Sequence, residues 1–350
     1  MVPVSEIIDS TSSLVFVNPK EPGIYRKGKP GKFYFEDHKG NRITNEAELD
    51  RIKKLVLPPA WTDVWISAKK KGYLQAVGVD AAGRRQYKYH AEWVTRKSNH
   101  KYFRLLEFGK ALPEARKQIK KDLNRKKFDE QKVLALCLQV MQHTLIRIGS
   151  ESYRKMYGSY GLSTLKDQHF KQKDGNFTLS FVGKKGVKQD VVLTDKNLAK
   201  LIQKSKDIPG QELFQYYVNE KEHRSVDSGM INNYIKQITG DDFTAKDFRT
   251  WGGTLEALRQ LAKCSADYPE MNKKKVIVEV LDCVASKLGN TRAVCKSSYV
   301  YPLLLETFEN EGLKKYLKKI NTVKSTNITA IENDEKVLLS FLKDAKAAQK

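Results

Sequence analysis

The chain has 350 residues, with 64 Lys+Arg against 41 Asp+Glu, a net charge of +23 and 40% hydrophobic residues, so it has enough apolar material for folded cores and favours a polyanionic partner. No run approaches the ~18 apolar residues of a membrane-spanning helix, and MVPVSEIIDS lacks the basic and apolar parts of a signal peptide. Cys137, Cys264, Cys283 and Cys295 show neither CxxC nor Cys/His ligand spacing, which excludes a zinc or disulfide framework and leaves mostly buried, reduced thiols in a soluble, cytoplasmic protein with no membrane partner.

Residues 1–108 read as a mixed, strand-rich domain. KFYFED, DVWIS, YLQAVGV and RQYKYH predict strands, NEAELDRIKKL ending at Pro58-Pro59 predicts a helix, and AEWVTRKSN a second helix. KALPEARKQIKKDLNRKKFDE is dense in Lys and Arg with few apolar residues, so 109–127 is expected to be a solvated helix and basic linker. From 128 to 314 helical patterns dominate: VLALCLQVMQHTLIRIG, DKNLAKLIQK, SGMINNYIKQI, FTAKDFRTWGGTLEALRQLAK and KKKVIVEVLDCVASKLG. They are interrupted by LSTLKDQHF, NFTLSFVG and KQDVVL, separated by KDGN and KKGVK, which predict a three-stranded antiparallel meander. The segment 315–350 is expected as a helical extension, packed or trailing as a DNA-attracting tail, and frayed past about 343. The fold class is α+β: a small β-rich domain followed by a mainly helical one.

Two motifs fail on inspection. GIYRKGK satisfies GxxxxGK, but Pro30 replaces the Ser/Thr that a P-loop gives to magnesium, and KFYF reads as a strand where a helix should start. No nucleotide cofactor is expected. Asp241-Asp242, and Glu279 with Asp282, lack a His or third acid in pattern, so no metal site is expected.

Four other residues suit one chemistry. Arg147 in TLIRIG falls near the end of a helix whose stripe Leu134, Leu138, Met141, Leu145, Ile148 faces a core, with Gly149 as C-cap; alone, it could be a dipole partner. Arg249 sits in the second turn of a helix opened by a Thr244/Asp247 capping box and a Phe243/Phe248 staple. There an anion would feel both guanidinium and helix dipole, and the neighbouring Gly252-Gly253 pair marks a close backbone approach. Lys166 is placed where the first meander strand turns. Tyr299 is one of 16 tyrosines, with Tyr301 as its rival. Together they supply two guanidiniums for a phosphate, an ammonium to protonate a leaving alkoxide and a phenol to attack phosphorus, a strand breaker that needs no metal.

The ordered set RIG, LSTLK, KDFRTWGGT and LGN followed by SSYVYP resembles the type IB DNA topoisomerases of the poxvirus-like and bacterial branch. GRRQYKYH with PPAWTDVWIS is similar to that branch's N-terminal DNA-clamping domain, so the likeness spans about 20 to 310. The resemblance implies that Tyr299 forms a 3′-phosphotyrosyl bond, Arg147 and Arg249 stabilise the transition state, and Lys166 protonates the 5′-oxygen. Asn290 stands where poxvirus enzymes have a histidine; its amide can donate a hydrogen bond but not transfer a proton. Arg84, Gln86, Tyr87 and Tyr89 match a segment laid in the major groove, although strand alternation divides Gln86 and Lys88 from Arg85, Tyr87 and Tyr89. Tyr153, Lys246 and Lys296 match further DNA contacts. The implied protein is a monomer closing as a clamp around duplex DNA in a bacterial nucleoid, without ATP or cofactor. A tyrosine recombinase and a non-catalytic DNA-binding protein on the same fold stay as alternatives.

Overall fold

The computed structural model describes residues 13–173, 175–267, 272–320 and 328–347. The leader-free reading of MVPVSEIIDS, Asp174 of the KDGN turn and the last three residues of the tail lie outside them. The chain divides into a unit up to Phe103 and a second from Arg104 onward.

The first unit is a five-stranded antiparallel sheet in the order β2-β1-β3-β4-β5, from β1 (Ile24–Lys29), β2 (Lys32–Glu36), β3 (Thr62–Ile66), β4 (Leu74–Val79) and β5 (Arg85–Tyr89). Helix α1 (Glu46–Lys54), capped by Asn45, lays Ile52 against Ile24, Val64, Ile66 and Ala76. The other face gathers Val17, Trp65, Leu74 and Val77. Leu74 and Ala76 would share a face in a regular strand, and a register shift between them sends each to its own core. β1 is IYRKGK, all but the first glycine of the P-loop lookalike, and it escapes hydrophobic patterning because it is cationic. Its Arg26 lies over the Phe33 ring at 4.2 Å and donates to the Trp61 carbonyl at 2.5 Å.

Helix α2 (Ala91–Leu123) supplies the expected helix and leaves 124–127 exposed, but corrects the expectation that the helix is solvated. Leu105, Phe108, Leu112, Ala115 and Ile119 recur at three- and four-residue steps and are all buried, so the few apolar residues form one stripe. Phe108 meets Phe243 and Phe248 edge-on at 5.1 and 4.9 Å. The second unit continues through α3 (Glu130–Thr144), α4 (Glu151–Tyr157), the meander β6 (Phe170–Lys173), β7 (Asn176–Val182) and β8 (Lys188–Leu193), and α5 (Lys196–Lys206). A short hairpin follows, β9 (Gln215–Tyr217) and β10 (His223–Ser225), which sequence patterning missed because each strand has three residues. After it come α6 (Ser228–Thr239), α7 (Ala245–Asp267), α8 (Lys273–Leu288), α9 (Arg292–Ser298), α10 (Pro302–Glu309), α11 (Lys314–Leu317) and α12 (Ile328–Ala347).

Helix α3 is the centre: every residue from Lys132 to Leu138, with Val140 and Met141, is buried as it packs against α5, α6 and α7. The thiols of Cys137, Cys264 and Cys295 are buried, whereas Cys283 is exposed on α8. The C-terminal extension packs against α7. Leu338, Phe341 and Leu342 are buried, and the helix continues past 343 with Ala345 buried, which corrects the expectation of fraying there.

Glu335 fastens that helix. Buried, it pairs with both terminal nitrogens of Arg116 and accepts from Trp251 Nε1 at 2.8 Å. Glu335→Ala leaves a guanidinium and an indole N–H short of their acceptor. Unfolding in urea should show a loss of about 3–5 kcal/mol, the range for removing one partner of a buried pair; an unchanged midpoint would show that the Glu335 contacts add nothing to stability.

Candidate active site

Four of the five expected residues meet in the second unit. Helix α3 ends at Thr144, and Leu145 adopts a left-handed φ of 54° as its cap, which turns the chain out of the helix. Arg147 therefore lies in the following loop and not on the helix as expected. Leu145 takes this conformation although it is not a glycine, so the position had no signature in sequence. Gly149, with φ of 88°, packs back-to-back against Gly161: a Cβ on Gly161 would come within 2.6 Å of the Arg147 carbonyl. That carbonyl accepts the Leu162 N–H at 2.8 Å, so the RIG loop is pinned to the turn leading to Lys166.

Arg249 is fixed as the capping motif predicts, with one change in detail. Helix α7 starts at Ala245, and the Asp247 carboxylate accepts both the Thr244 N–H at 2.8 Å and the Thr244 hydroxyl at 2.9 Å. Arg249 is 3% exposed. One terminal nitrogen donates to the Leu145 carbonyl at the end of α3, the other to the Leu288 carbonyl at the end of α8 at 3.0 Å. Two helix C-termini, each carrying partial negative charge, thus orient one guanidinium. Gly252 makes this geometry accessible, since a Cβ there would lie 2.4 Å from Leu145 Cδ2.

Helix α8 closes on Gly289 at φ of 58°, and Thr291 caps α9, so GNT is a helix stop followed by a helix start. Arg147 donates to the Gly289 carbonyl at 3.1 Å and to Asn290 Oδ1. Guanidinium nitrogens only donate, which fixes the amide's orientation and leaves Nδ2 as the free-facing donor. Asn290 Nδ2 and Arg249 Nε are both buried without a hydrogen-bond partner among the described residues. Each such donor costs about 1–3 kcal/mol unless an acceptor arrives.

Tyr299 ends α9, half-buried, with the Arg249 guanidinium 5.1 Å from its ring centroid. Burial pushes Arg147 and Arg249 below the usual arginine range, and the Tyr299 phenol opposes this at both. Cys295, pushed up to about 11 chiefly by burial, remains a neutral thiol beside them. Arg147, Asn290 and Tyr299 line a cleft of about 440 Å³ together with Lys184, Lys185 and Lys188. KKGVK reads in sequence as a hairpin turn alone, and its cation density is the signal that marks these lysines. One guanidinium, an amide and a phenol line this basic cleft, and the buried Arg249 guanidinium lies against the phenol ring, a set that can bind a phosphodiester and attack it.

Lys166 is not brought into contact with these four. It lies between two 3₁₀ turns (162–164 and 167–169), ahead of β6 and not within the meander as expected. Its Nζ donates to Gln211 Oε1 at 3.0 Å, and its N–H to His169 Nδ1 at 2.9 Å. Tyr301, the rival phenol, is buried, with its ring against Phe341 at 6.2 Å.

In the first unit, β5 is an edge strand. Tyr87 and Tyr89 stack at 6.2 Å on one face, as alternation predicts, with Tyr87 exposed and Tyr89 packed on Trp93. Arg84 and Gln86 both bond to Asp80, at 2.9 and 2.8 Å, so Asp80 aligns the two. Tyr153 is exposed on α4 beside Tyr157, Lys246 is exposed in the first turn of α7, and Lys296 is exposed on α9.

The model of the family described as eukaryotic DNA topoisomerase I, catalytic core, matches residues 90–331, and that of the bacterial DNA topoisomerase IB, N-terminal domain, matches 32–80. DNA topoisomerase 1B of Acanthamoeba polyphaga mimivirus is 33% identical over 296 residues, covering 82% of this chain and 88% of its own length. DNA topoisomerase 1B of Vaccinia virus (strain Copenhagen) is 25% identical over 303 residues, covering 83% and 92%.

Proposed function

Because the chain belongs to the type IB DNA topoisomerases, we propose that Tyr299 is the nucleophile that attacks a DNA phosphodiester, forming a 3′-phosphotyrosyl bond and releasing a 5′-hydroxyl. Arg147 and Arg249 hold the non-bridging oxygens and stabilise the charge of the pentacoordinate state. Asn290 Nδ2 adds a neutral donor, and Lys166 protonates the departing 5′-oxygen. The tyrosyl ester conserves the energy of the broken bond, so rotation of the free strand and resealing by the 5′-hydroxyl need no ATP. With arginines stabilising the charge and lysine supplying the proton, the scheme requires no divalent metal.

The observation that carries this reading is the pair of partnerless buried donors, Arg249 Nε and Asn290 Nδ2, beside Arg147 and the Tyr299 ring. A phosphate oxygen is an acceptor of the right charge for both. In the first unit, Arg84, Gln86, Tyr87 and Tyr89 would read or grip duplex DNA, with Tyr153, Lys246 and Lys296 contacting it from the second, the chain acting as a monomeric clamp in a bacterial nucleoid. A tyrosine recombinase is disfavoured by the five-stranded sheet that precedes the helical unit, where recombinases usually carry a helical core-binding domain.

The test is to mix purified protein with supercoiled plasmid, without ATP and in EDTA, quench with detergent and map the DNA-linked peptide by mass. Relaxation and a nucleotide adduct on Tyr299 are expected. Relaxation with the adduct on another residue would overturn the nucleophile assignment, and neither relaxation nor adduct would favour a non-catalytic DNA-binding protein.

A further inference from the structure

Tyr299 follows a helix of only seven residues, and a nucleophile at such a place needs something rigid to set its reach. Helix α7 supplies it. The Tyr299 carbonyl accepts from Thr254 Oγ1 at 3.1 Å, and its Cβ lies over Gly253, where a Cβ would stand 3.2 Å from Tyr299 Cβ and 3.0 Å from its carbonyl oxygen. Thr254 is fully buried. We infer that Gly253 and Thr254 form a seat that fixes the backbone of the attacking tyrosine relative to Arg249 on the same helix, with Thr254 as a positioning residue for cleavage and resealing. This rests on the assignment of Tyr299 as nucleophile.

The Thr254 hydroxyl has a second acceptor. Thr254 Oγ1 also lies 2.9 Å from the Thr250 carbonyl one turn back. A hydroxyl has one hydrogen, so the two carbonyls compete for it. Attack and resealing both keep the Tyr299 carbonyl at this depth. Gly253 sets that depth, because any side chain there would lift the tyrosine by a few tenths of an ångström.

Thr254→Val keeps the shape and removes the hydroxyl; Thr254→Ser keeps the hydroxyl. Single-turnover cleavage and resealing should both slow roughly three- to tenfold in Thr254→Val, the rate cost of one hydrogen bond's alignment, and recover in Thr254→Ser. Gly253→Ala should slow both steps as well, with its hydroxyl partner intact. Non-covalent DNA affinity, measured in a Tyr299→Phe background, and thermal stability should stay near the parent values in each variant. Wild-type cleavage in Thr254→Val would overturn the seat, as would slowing that Ser does not restore or that tracks a loss of stability or DNA affinity. Adduct formation by Tyr299→Phe would instead remove the nucleophile assignment beneath it.

Discussion

Tyr299→Phe is expected to abolish the covalent adduct and plasmid relaxation while leaving non-covalent DNA binding almost intact. The variant keeps the ring over which Arg249 sits and loses only the oxygen that would bond to phosphorus. Relaxation should therefore fall to background, while a salt-matched binding isotherm moves little, since affinity resides mainly in the many lysines and arginines that neutralise phosphates. Tyr301→Phe is the control. Tyr301 is 9% exposed, opens α10, faces Phe341 and does not line the cleft that Tyr299 lines. That variant should retain both adduct and relaxation. If the adduct disappears in Tyr301→Phe and survives in Tyr299→Phe, the two tyrosines exchange roles and the Arg249 contact is incidental.

The sequence disclosed this site unevenly, for identifiable reasons. Arg249 was legible from local rules: the Thr244/Asp247 cap starts α7 where expected, and the two glycines mark close approaches, Gly252 to Leu145 and Gly253 to Tyr299. The α8 stop at Gly289 and the α9 start at Thr291 were equally plain. Arg147 was misplaced because a leucine took the left-handed cap that pattern assigned to Gly149. The basic stretch after residue 108 holds few apolar residues, so it reads as solvated, but their spacing is helical: Phe108, Leu112, Ala115 and Ile119 suffice to bury one face of α2. β1 and the β9–β10 hairpin lacked any hydrophobic period long enough to register. What no local pattern could show is the convergence of carbonyls from α3 and α8 on Arg249, because it arises only when three helices pack.

Lys166→Ala is expected to slow cleavage by about 10²–10⁴, the usual contribution of a positioned general acid. The structure gives this lysine a built address without a contact to the other four. Its backbone is held by the His169 imidazole, which must be unprotonated at Nδ1 to accept the Lys166 N–H. Burial first, then Lys166 and Lys171, lower the His169 pKa, which keeps that acceptor available near neutrality. The same loop is tied to Arg147 by the Gly149–Gly161 contact. The ammonium rests on one neutral amide oxygen, Gln211 Oε1, a bond worth about 1 kcal/mol that a leaving alkoxide can readily replace. A general acid predicts more than a slow mutant. A substrate with sulfur in place of the 5′-bridging oxygen expels a thiolate, which needs no proton, so it should restore Lys166→Ala cleavage close to the parent rate on that same substrate. Lys166→Arg should remain slow on the oxygen substrate, since a guanidinium holds its proton too tightly to give it up. If sulfur fails to rescue Lys166→Ala, the lysine holds the DNA and another group, or water, protonates the 5′-oxygen.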